Sequence, residues 1–311
     1  MTNQQSNKNE LKGYVFALVA TALWSGNFIV VRDLSESVPP VSLAFWRWTV
    51  AVVIFSPFAL KFLIKDWKLL KKHVPYLVIT SFLGVTIFNT LIYIAGHTTT
   101  AINLSLISIT FPIFIIIISR FIFKELITVK KVLGIFLVAV GVLLIITKGS
   151  LSILLALSFY EGDIWMLGAS LIFATYSILL QKKPKGLNVY AFQLSTFLLG
   201  IIFLFPFYIW EYASTPTLTL NFKSVSSILY IGVFSSLIAF ILWNKAILLI
   251  GSTKSGMIYY TLPLFSGVLA YFILKEDLKI VHLISAVLII FGIVLSNYKS
   301  NKLQRTKSSK E

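Results

Sequence analysis

The sequence contains no cysteine and little charge, and both absences narrow the possible functions. Without cysteine, the chain has no disulfide framework and no thiol chemistry. Only 12% of the 311 residues are charged and 58% are hydrophobic, whereas about a quarter of the residues in a typical soluble domain are charged. Aspartate and glutamate together number 11, against 27 lysines and arginines. Such an apolar composition argues against a soluble domain.

Long apolar runs fill most of the chain. About 20 consecutive apolar residues are enough to cross a bilayer as a helix. The runs do not alternate as the strands of a membrane barrel would. They predict an all-α polytopic membrane protein with ten transmembrane helices. These helices are expected at 13–31, 42–62, 74–95, 100–121, 129–147, 162–181, 189–210, 225–247, 252–274 and 279–298.

The excess of positive charge, formally +16, has two interpretations. Nucleic acid is one possible partner, but the distribution favours membrane topology, since lysine and arginine accumulate on the cytoplasmic side. With ten spans, 21 of the 27 basic residues lie on the side of the amino terminus, five lie on the other side, and Arg47 lies within a span. We therefore predict a multi-pass protein of the cell membrane with a cytoplasmic tail at 1–12, a basic cytoplasmic tail at 299–311, and no nucleic-acid partner.

The second half of the chain repeats the first. Residues 110–125 read TFPIFIIIISRFIFKE and residues 261–276 read TLPLFSGVLAYFILKE. The similarity extends to repeats at 13–147 and 162–298, each with five spans. Because five is odd, the second repeat should enter the membrane with the opposite orientation. Inverted repeats with a site between them are typical of secondary transporters.

The sequence resembles the EamA family of the drug/metabolite transporter superfamily. The resemblance covers about residues 13–298 and rests on the order and spacing of several motifs. These are ALWSGNF at 22–28, LAFWRW at 43–48, the two Pro-to-Glu phrases, GDIWMLGAS at 162–170 and ILWNKAI at 241–247. The resemblance implies export of metabolites or amino-acid-like solutes through a central cavity between the halves. It implies no particular cargo.

Acidic and histidine residues offer little chemistry within the spans. All 11 carboxylates lie in tails, loops or span ends, which disfavours a proton relay through a carboxylate in the middle of the membrane. Uniport, exchange, or proton coupling without such a carboxylate remains. The three histidines have no ligand spacing, so we predict no metal site, and no cofactor is implied.

One arginine, two glutamates and two prolines in or beside the spans are candidates for specific roles. Arg47 within a span must be paired, reach water or snorkel, and both a structural and a substrate-binding role remain open. Glu125 and Glu276 each precede the next helix, and we interpret them as structural clasps between successive spans. Pro112 and Pro263 remove backbone hydrogen bonds and are candidate helix bends.

Polar and aromatic residues at matched places in the repeats predict the cavity. A buried amide requires a partner or water, which favours a polar cavity over a lipid-facing position. Packing between helices remains the alternative for each residue taken alone. Together with Arg47, the predicted cavity-lining residues are Trp24, Asn27, Asn89, Tyr93, Ser108, Tyr176, Asn244 and Tyr259.

Three functional classes can be compared with these sequence features. The favoured one is a secondary transporter that works by alternating access on a small-molecule substrate, with a monomer plausible. A membrane-embedded enzyme acting on a lipid or small metabolite is the alternative, although no nucleophile or base set is visible. A channel would need rings of charge or a filter sequence, and neither is present.

Overall fold

The computed structural model describes residues 3–27, 30, 34, 37–214, 221–274 and 280–297. Helices follow the predicted spans in order, and no strand occurs in the described part of the chain. They are α1 (Asn3–Ser25), α2 (Pro40–Lys65), α3 (Val74–Thr98), α4 (Ala101–Ser108 and Thr110–Ile122), α5 (Val129–Ile146), α6 (Glu161–Leu180), α7 (Val189–Ser214), α8 (222–250), α9 (252–274) and α10 (Ile280–Asn297).

Eight helical segments within the described ranges are long and apolar enough to cross a membrane. Two predicted spans are not separate members of this set. The first is α1, whose early turns are polar, and the second is α9, which follows α8 within the segment Phe222–Tyr259. The all-helical membrane fold is confirmed, whereas the count of ten spans remains a prediction.

The first helix begins earlier than the apolar run. Residues 3–12 were expected to form a tail, but they continue α1 through the sequence NQQSNKNELK. This stretch contains neither proline nor glycine to end a helix. Glu10 within it pairs with Lys254 at the start of α9, which holds these turns against the bundle.

Polar caps set the beginnings of several helices. The Thr100 hydroxyl accepts a hydrogen bond from the Asn103 backbone N–H at 3.1 Å, and Thr128 accepts one from Lys131 at 3.2 Å. These contacts satisfy N–H groups that a first helical turn leaves unpaired. The outward faces of the helices are apolar, with Phe58, Phe121 and Trp210 strongly exposed, as suits contact with lipid tails.

Equivalent helices of the two repeats pack against each other. Helix α2 lies along α7, and α5 lies along α10. In the α5–α10 pair a methyl group on Gly134 would lie 2.5 Å from the carbonyl oxygen of Gly292, and the converse distance is 2.6 Å. Only glycine permits this approach of two backbones, which is a common way for membrane helices to associate.

The central helices contain irregular turns at related places. Helices α3 and α8 each include a π-helical segment, at Phe82–Ile87 and Ile231–Ile238. Gly251 adopts φ 81° and ψ 163° and separates α8 from α9. Such a positive φ favours glycine, because side chains clash there. The bundle therefore combines a regular outer pair, α5 and α10, with irregular helices at its centre.

Candidate functional site

A small cavity lies between the two repeats. Its walls come from α1 and α3 of the first repeat and from α6 and α9 of the second. Its volume is about 20 Å³, enough for roughly one water molecule. Ordinary small-molecule pockets measure about 300–1,000 Å³, so this conformation is closed around its centre. The lining residues are Trp24, Asn27, Phe88, Asn89, Ile92, Phe173 and Tyr259.

Aromatic rings form most of the cavity wall. The Trp24 ring meets Phe173 edge-on at 5.4 Å between centroids and lies 6.2 Å from Tyr259. Phe88 stacks on Phe173 at 4.1 Å. The Trp24 Nε1 donates to the backbone oxygen of Ser235 at 2.8 Å, which ties α1 to the π-helical segment of α8. The wall is thus apolar and held by contacts between the repeats.

Two amides supply the polar part of the cavity. Asn27 is 6% exposed, and its Oδ1 has no hydrogen-bond partner among the described residues. Asn89 is also buried, and its Oδ1 accepts from Arg47 Nη1 at 2.8 Å. A buried polar atom without a partner is costly, so the Oδ1 of Asn27 is suited to a water molecule or to a ligand donor.

Arg47 lies in α2 and is 1% exposed. Its Nε donates to the hydroxyl of Ser236, and its Nη1 donates to both Asn89 and the hydroxyl of Tyr93. The guanidinium carbon lies 5.2 Å from the Trp48 ring centroid and 5.6 Å from that of Tyr93. Arg47 therefore joins α2, α3 and α8 in one polar cluster whose hydrogen-bond acceptors are all uncharged.

A second polar cluster joins α6, α7 and α8. The Tyr176 hydroxyl donates to Asn244 Oδ1 at 3.1 Å, and Asn244 Nδ2 donates to Gln193 Oε1. Gln193 is fully buried, and its Nε2 has no partner within the described part of the chain. Tyr176 also stacks near Phe173 of the cavity wall, with ring centroids 5.8 Å apart. The cluster thus lies beside the cavity without lining it.

Helix breaks occur shortly before Pro112 and Pro263. Helix α4 is interrupted at Ile109 and α9 at Tyr260 and Thr261. A proline lacks the N–H that would bond four residues back, which weakens the preceding turn. Ser108, just before the first break, donates to the Ser105 carbonyl at 2.7 Å and lies within hydrogen-bonding reach of the Tyr259 side chain.

Glu125 connects three helices at the face of the bundle where α1 begins. We call this face the amino-terminal face. The Glu125 carboxylate accepts from the Thr253 hydroxyl of α9 at 2.8 Å and pairs with Lys131 of α5 at 3.5 Å. It follows α4, so its contacts resemble the clasp expected from the sequence. Glu276, its counterpart, lies outside the described residues.

Further polar contacts cover the amino-terminal face. Asp66 accepts from the Asn188 backbone N–H at 2.6 Å, joining the end of α2 to the start of α7. Gln181, after α6, donates to Ser252 at the start of α9. In the loop between α6 and α7, burial lowers the pKa of Lys183, and the nearby carboxylate of Asp66 opposes that shift. These contacts join the ends of α2 and α7 and of α6 and α9 at this face.

Eight of the nine predicted cavity-lining residues fall into three neighbouring groups, and the ninth, Ser108, lies just before the break in α4. Trp24, Asn27, Asn89 and Tyr259 line the cavity. Arg47 and Tyr93 share the cluster that reaches the cavity through Asn89, and Tyr176 and Asn244 form the cluster beside it. Sequence reasoning missed Ser236, Gln193, Phe88 and Ile92 as members of these groups. Only Gln193 carried a signal, as an isolated amide within an apolar run.

Among the described residues, no group of three or more histidine, cysteine, aspartate or glutamate side chains could hold a metal ion. The buried charged side chains within the same residues are Arg47 and Asp163. The described centre of the bundle therefore offers aromatic surface, amides, hydroxyls and one cation.

These features define the class as a multi-pass helical membrane protein built from two repeats. The model of the EamA-like transporter family matches residues 11–147 and 160–298. The chain belongs to this family.

Similar proteins agree in length and description. An "Uncharacterized transporter" of Archaeoglobus fulgidus is 27% identical over 304 residues, covering 94% of this chain and 99% of its own. The "Uncharacterized transporter YyaM" of Bacillus subtilis is 28% identical over 290 residues, covering 91% and 93%. A solved structure titled "Crystal structure of protein" superposes with a TM-score of 0.73 at 16% identity, covering 92% of this chain and 96% of its own, and it supports the fold alone.

Proposed function

We propose that this EamA-like protein is a secondary transporter that exports small metabolites or amino-acid-like solutes by alternating access. The observation that carries the proposal is the small cavity between the repeats, with aromatic walls and an amide oxygen, Oδ1 of Asn27, that has no partner among the described residues. Apolar walls with a few polar groups are typical of small-molecule sites. A cargo with an apolar body and a polar head fits this lining. The relatives described above are named as transporters, which supports the assignment to that class.

The closed cavity requires helices that can move. A space of about 20 Å³ does not admit an amino-acid-sized solute, so binding requires the repeats to separate on one side at a time. The breaks before Pro112 and Pro263, the turn at Gly251 and the two π-helical segments are positions where helices bend. The proline breaks and the π-helical segments occur in both repeats, which supports rocking of two inverted halves around the site.

The proposed orientation places both termini in the cytoplasm of a cell-membrane protein. It rests on the distribution of lysine and arginine described above. Reporter fusions after residues 35, 98 and 217 are expected to report outside, and fusions after 68, 127 and 185 inside. The reversed pattern would contradict both the orientation and the inversion of the repeats.

Cysteine scanning tests the cavity directly, since the native chain provides a cysteine-free background. Single cysteines at Asn27, Tyr93, Tyr176 and Tyr259 replace buried side chains. We expect a small water-soluble thiol reagent to label them slowly, as the site opens, and cargo to slow the labelling further. Phe58→Cys, on the exposed apolar surface of α2, is the matched control that faces lipid and remains unlabelled.

The outcome separates a central site from simple packing. If all four buried positions stay unlabelled in every transport condition while a loop cysteine reacts, these residues only pack and the site lies elsewhere. Counterflow of a labelled metabolite in proteoliposomes supports a carrier. Formation of a product instead would support the alternative, a membrane-embedded enzyme acting on a lipid or small metabolite.

A further inference from the structure

Arg47 is a buried cation that has no charged partner among the described residues. No carboxylate of the described residues lies within ion-pair distance of its guanidinium. The other buried charge, Asp163, is bound by Thr99 and Asn103 at the far end of α3 and the start of α4. A buried charge is costly unless it is paired and fully hydrogen-bonded, and the cost is greater in a membrane.

The hydrogen bonds of Arg47 leave part of the guanidinium unused. Nε and Nη1 donate to Ser236, Asn89 and Tyr93, whereas no described residue accepts a hydrogen bond from Nη2. The guanidinium is a planar group with five N–H donors that matches a carboxylate through two parallel hydrogen bonds. Within the described residues, the unused N–H donors and the lack of a counter-charge both indicate an anion as the group that would complete the site.

Asn89 connects this cation to the cavity. The residue lines the cavity, and its Oδ1 accepts a hydrogen bond from Nη1 of Arg47. A ligand that enters the cavity therefore contacts Asn89, the neutral amide that accepts a hydrogen bond from the guanidinium. Displacing a neutral acceptor by a carboxylate strengthens the hydrogen bond, because charge-assisted bonds are roughly twice as strong as neutral ones.

We propose that Arg47 binds a carboxylate of the cargo, so that the transported solute is a small monocarboxylate with an apolar body. This inference rests on the transport function proposed above. A single negative charge is favoured because Arg47 is the only cation among the buried described residues. The aromatic rings of Trp24, Phe88 and Phe173 supply the surface for the apolar body.

Binding at Arg47 also affects the irregular helices. Ser236 lies in the π-helical segment of α8, and Asn89 follows the π-helical segment of α3. Arg47 thus contacts the segment of α8 directly and that of α3 through Asn89, whose Nδ2 donates to the Gly84 carbonyl at 3.5 Å. A carboxylate that takes over these N–H groups releases both segments, which links occupancy of the site to helix movement. Segments of this type occur often at functional sites.

The test uses the full-length protein in detergent and a pair of probes that differ only in charge. Phenylpropionate carries a carboxylate and phenylpropionamide is its neutral analogue. We expect phenylpropionate to raise the Tm of thermal unfolding at constant ionic strength in sodium sulfate, whereas the amide does not. Arg47→Gln should weaken the apparent affinity for phenylpropionate by about tenfold to a hundredfold, and Arg47→Lys should weaken it less.

Three results would overturn the inference. The first is an equal rise in Tm with phenylpropionate and with phenylpropionamide. The second is an unchanged affinity for phenylpropionate in Arg47→Gln. The third is a rise in Tm with sodium chloride that is as large as the one with phenylpropionate and leaves no further effect of phenylpropionate, which would assign the site to an inorganic ion. The comparison of phenylpropionate with phenylpropionamide on the wild-type protein tests the inference even if Arg47→Gln fails to fold. Counterflow of a neutral or cationic solute without any response to carboxylates would leave the transport function intact and refute only the anion site.

Discussion

Two junctions at opposite faces of the bundle occupy matched positions in the repeats but differ in chemistry. The spacing of the duplication places Asn103 against Lys254 and Asp163 against Tyr14. At the first junction Asn103 Nδ2 donates to Asp163 Oδ2 at 2.8 Å, joining α4 to α6. At the second, Lys254 Nζ lies 5.8 Å from the Tyr14 ring centroid and also pairs with Glu10, joining α9 to α1. The matched positions therefore make a contact between helices in both repeats, but the side chains that make it differ.

Burial explains why the two junctions should differ in strength. Asp163 is 2% exposed and accepts from the Thr99 hydroxyl, the Asn103 amide and the Tyr160 backbone N–H. The side chains of Lys254 and Glu10 are 27% and 30% exposed, so water and salt screen their attraction. The junction at the amino-terminal face should therefore open at a lower cost than the one at the opposite face.

Removing the buried carboxylate should have the largest effect. Asp163→Ala leaves three donors without an acceptor, and we expect the free energy of unfolding to fall by about 2–4 kcal/mol. Thermal or denaturant unfolding in detergent measures the change. Asp163→Asn keeps one acceptor oxygen and should lose less. A loss below about 1 kcal/mol for the alanine variant would show that burial does not distinguish the junctions.

Glu125 at the amino-terminal face should have an intermediate effect. Glu125→Gln keeps an acceptor for Thr253 and removes the ion pair with Lys131, whose side chain is 13% exposed against 36% for Glu125. We expect a loss of about 0.5–1 kcal/mol, because the carboxylate is screened by solvent. Transport in proteoliposomes should continue, with Thr253→Val as the matched control. Loss of transport in a stable, folded Glu125→Gln protein would assign this carboxylate to coupling.

The exposed ion pair should have the smallest effect. Lys254→Met should change the free energy of unfolding by less than about 1 kcal/mol. The difference from wild type should shrink as sodium chloride rises from about 0.05 M to 1 M, since the Debye length falls to about 3 Å at 1 M. The loss in Asp163→Ala should persist over the same range. A salt response that is the same at both junctions would contradict the comparison.

Much of the fold was predictable because the membrane demands it. A helix is the only segment other than a barrel strand that satisfies its own backbone in lipid, so apolar runs such as 129–147 mark spans well. The first turns of α1 were missed because polar residues extend a helix beyond the membrane without any apolar signal. The repeat was visible because proline and glycine keep fixed positions in both halves.

The candidate site was only partly predictable. Arg47 and Asn89 stood out as polar residues in apolar runs, and such residues require partners. The contact of Arg47 with Ser236 was not predictable, because a π-helical turn adds a residue that hydrophobic periodicity does not reveal. The isolated amide of Gln193 was overlooked because its matched position in the first repeat is Trp46.

The charge of Arg47, which no described carboxylate neutralises, also has an electrical consequence. With a monocarboxylate bound as proposed, the site has no net charge, whereas the empty site has one positive charge. A charge that crosses the full membrane potential gains or loses about 2.3 kcal/mol per 100 mV. Reorientation of the empty protein should therefore respond to voltage, while passage of the loaded protein should not. Net efflux is expected to vary with membrane potential, and exchange of one carboxylate for another should proceed at the same rate at any potential.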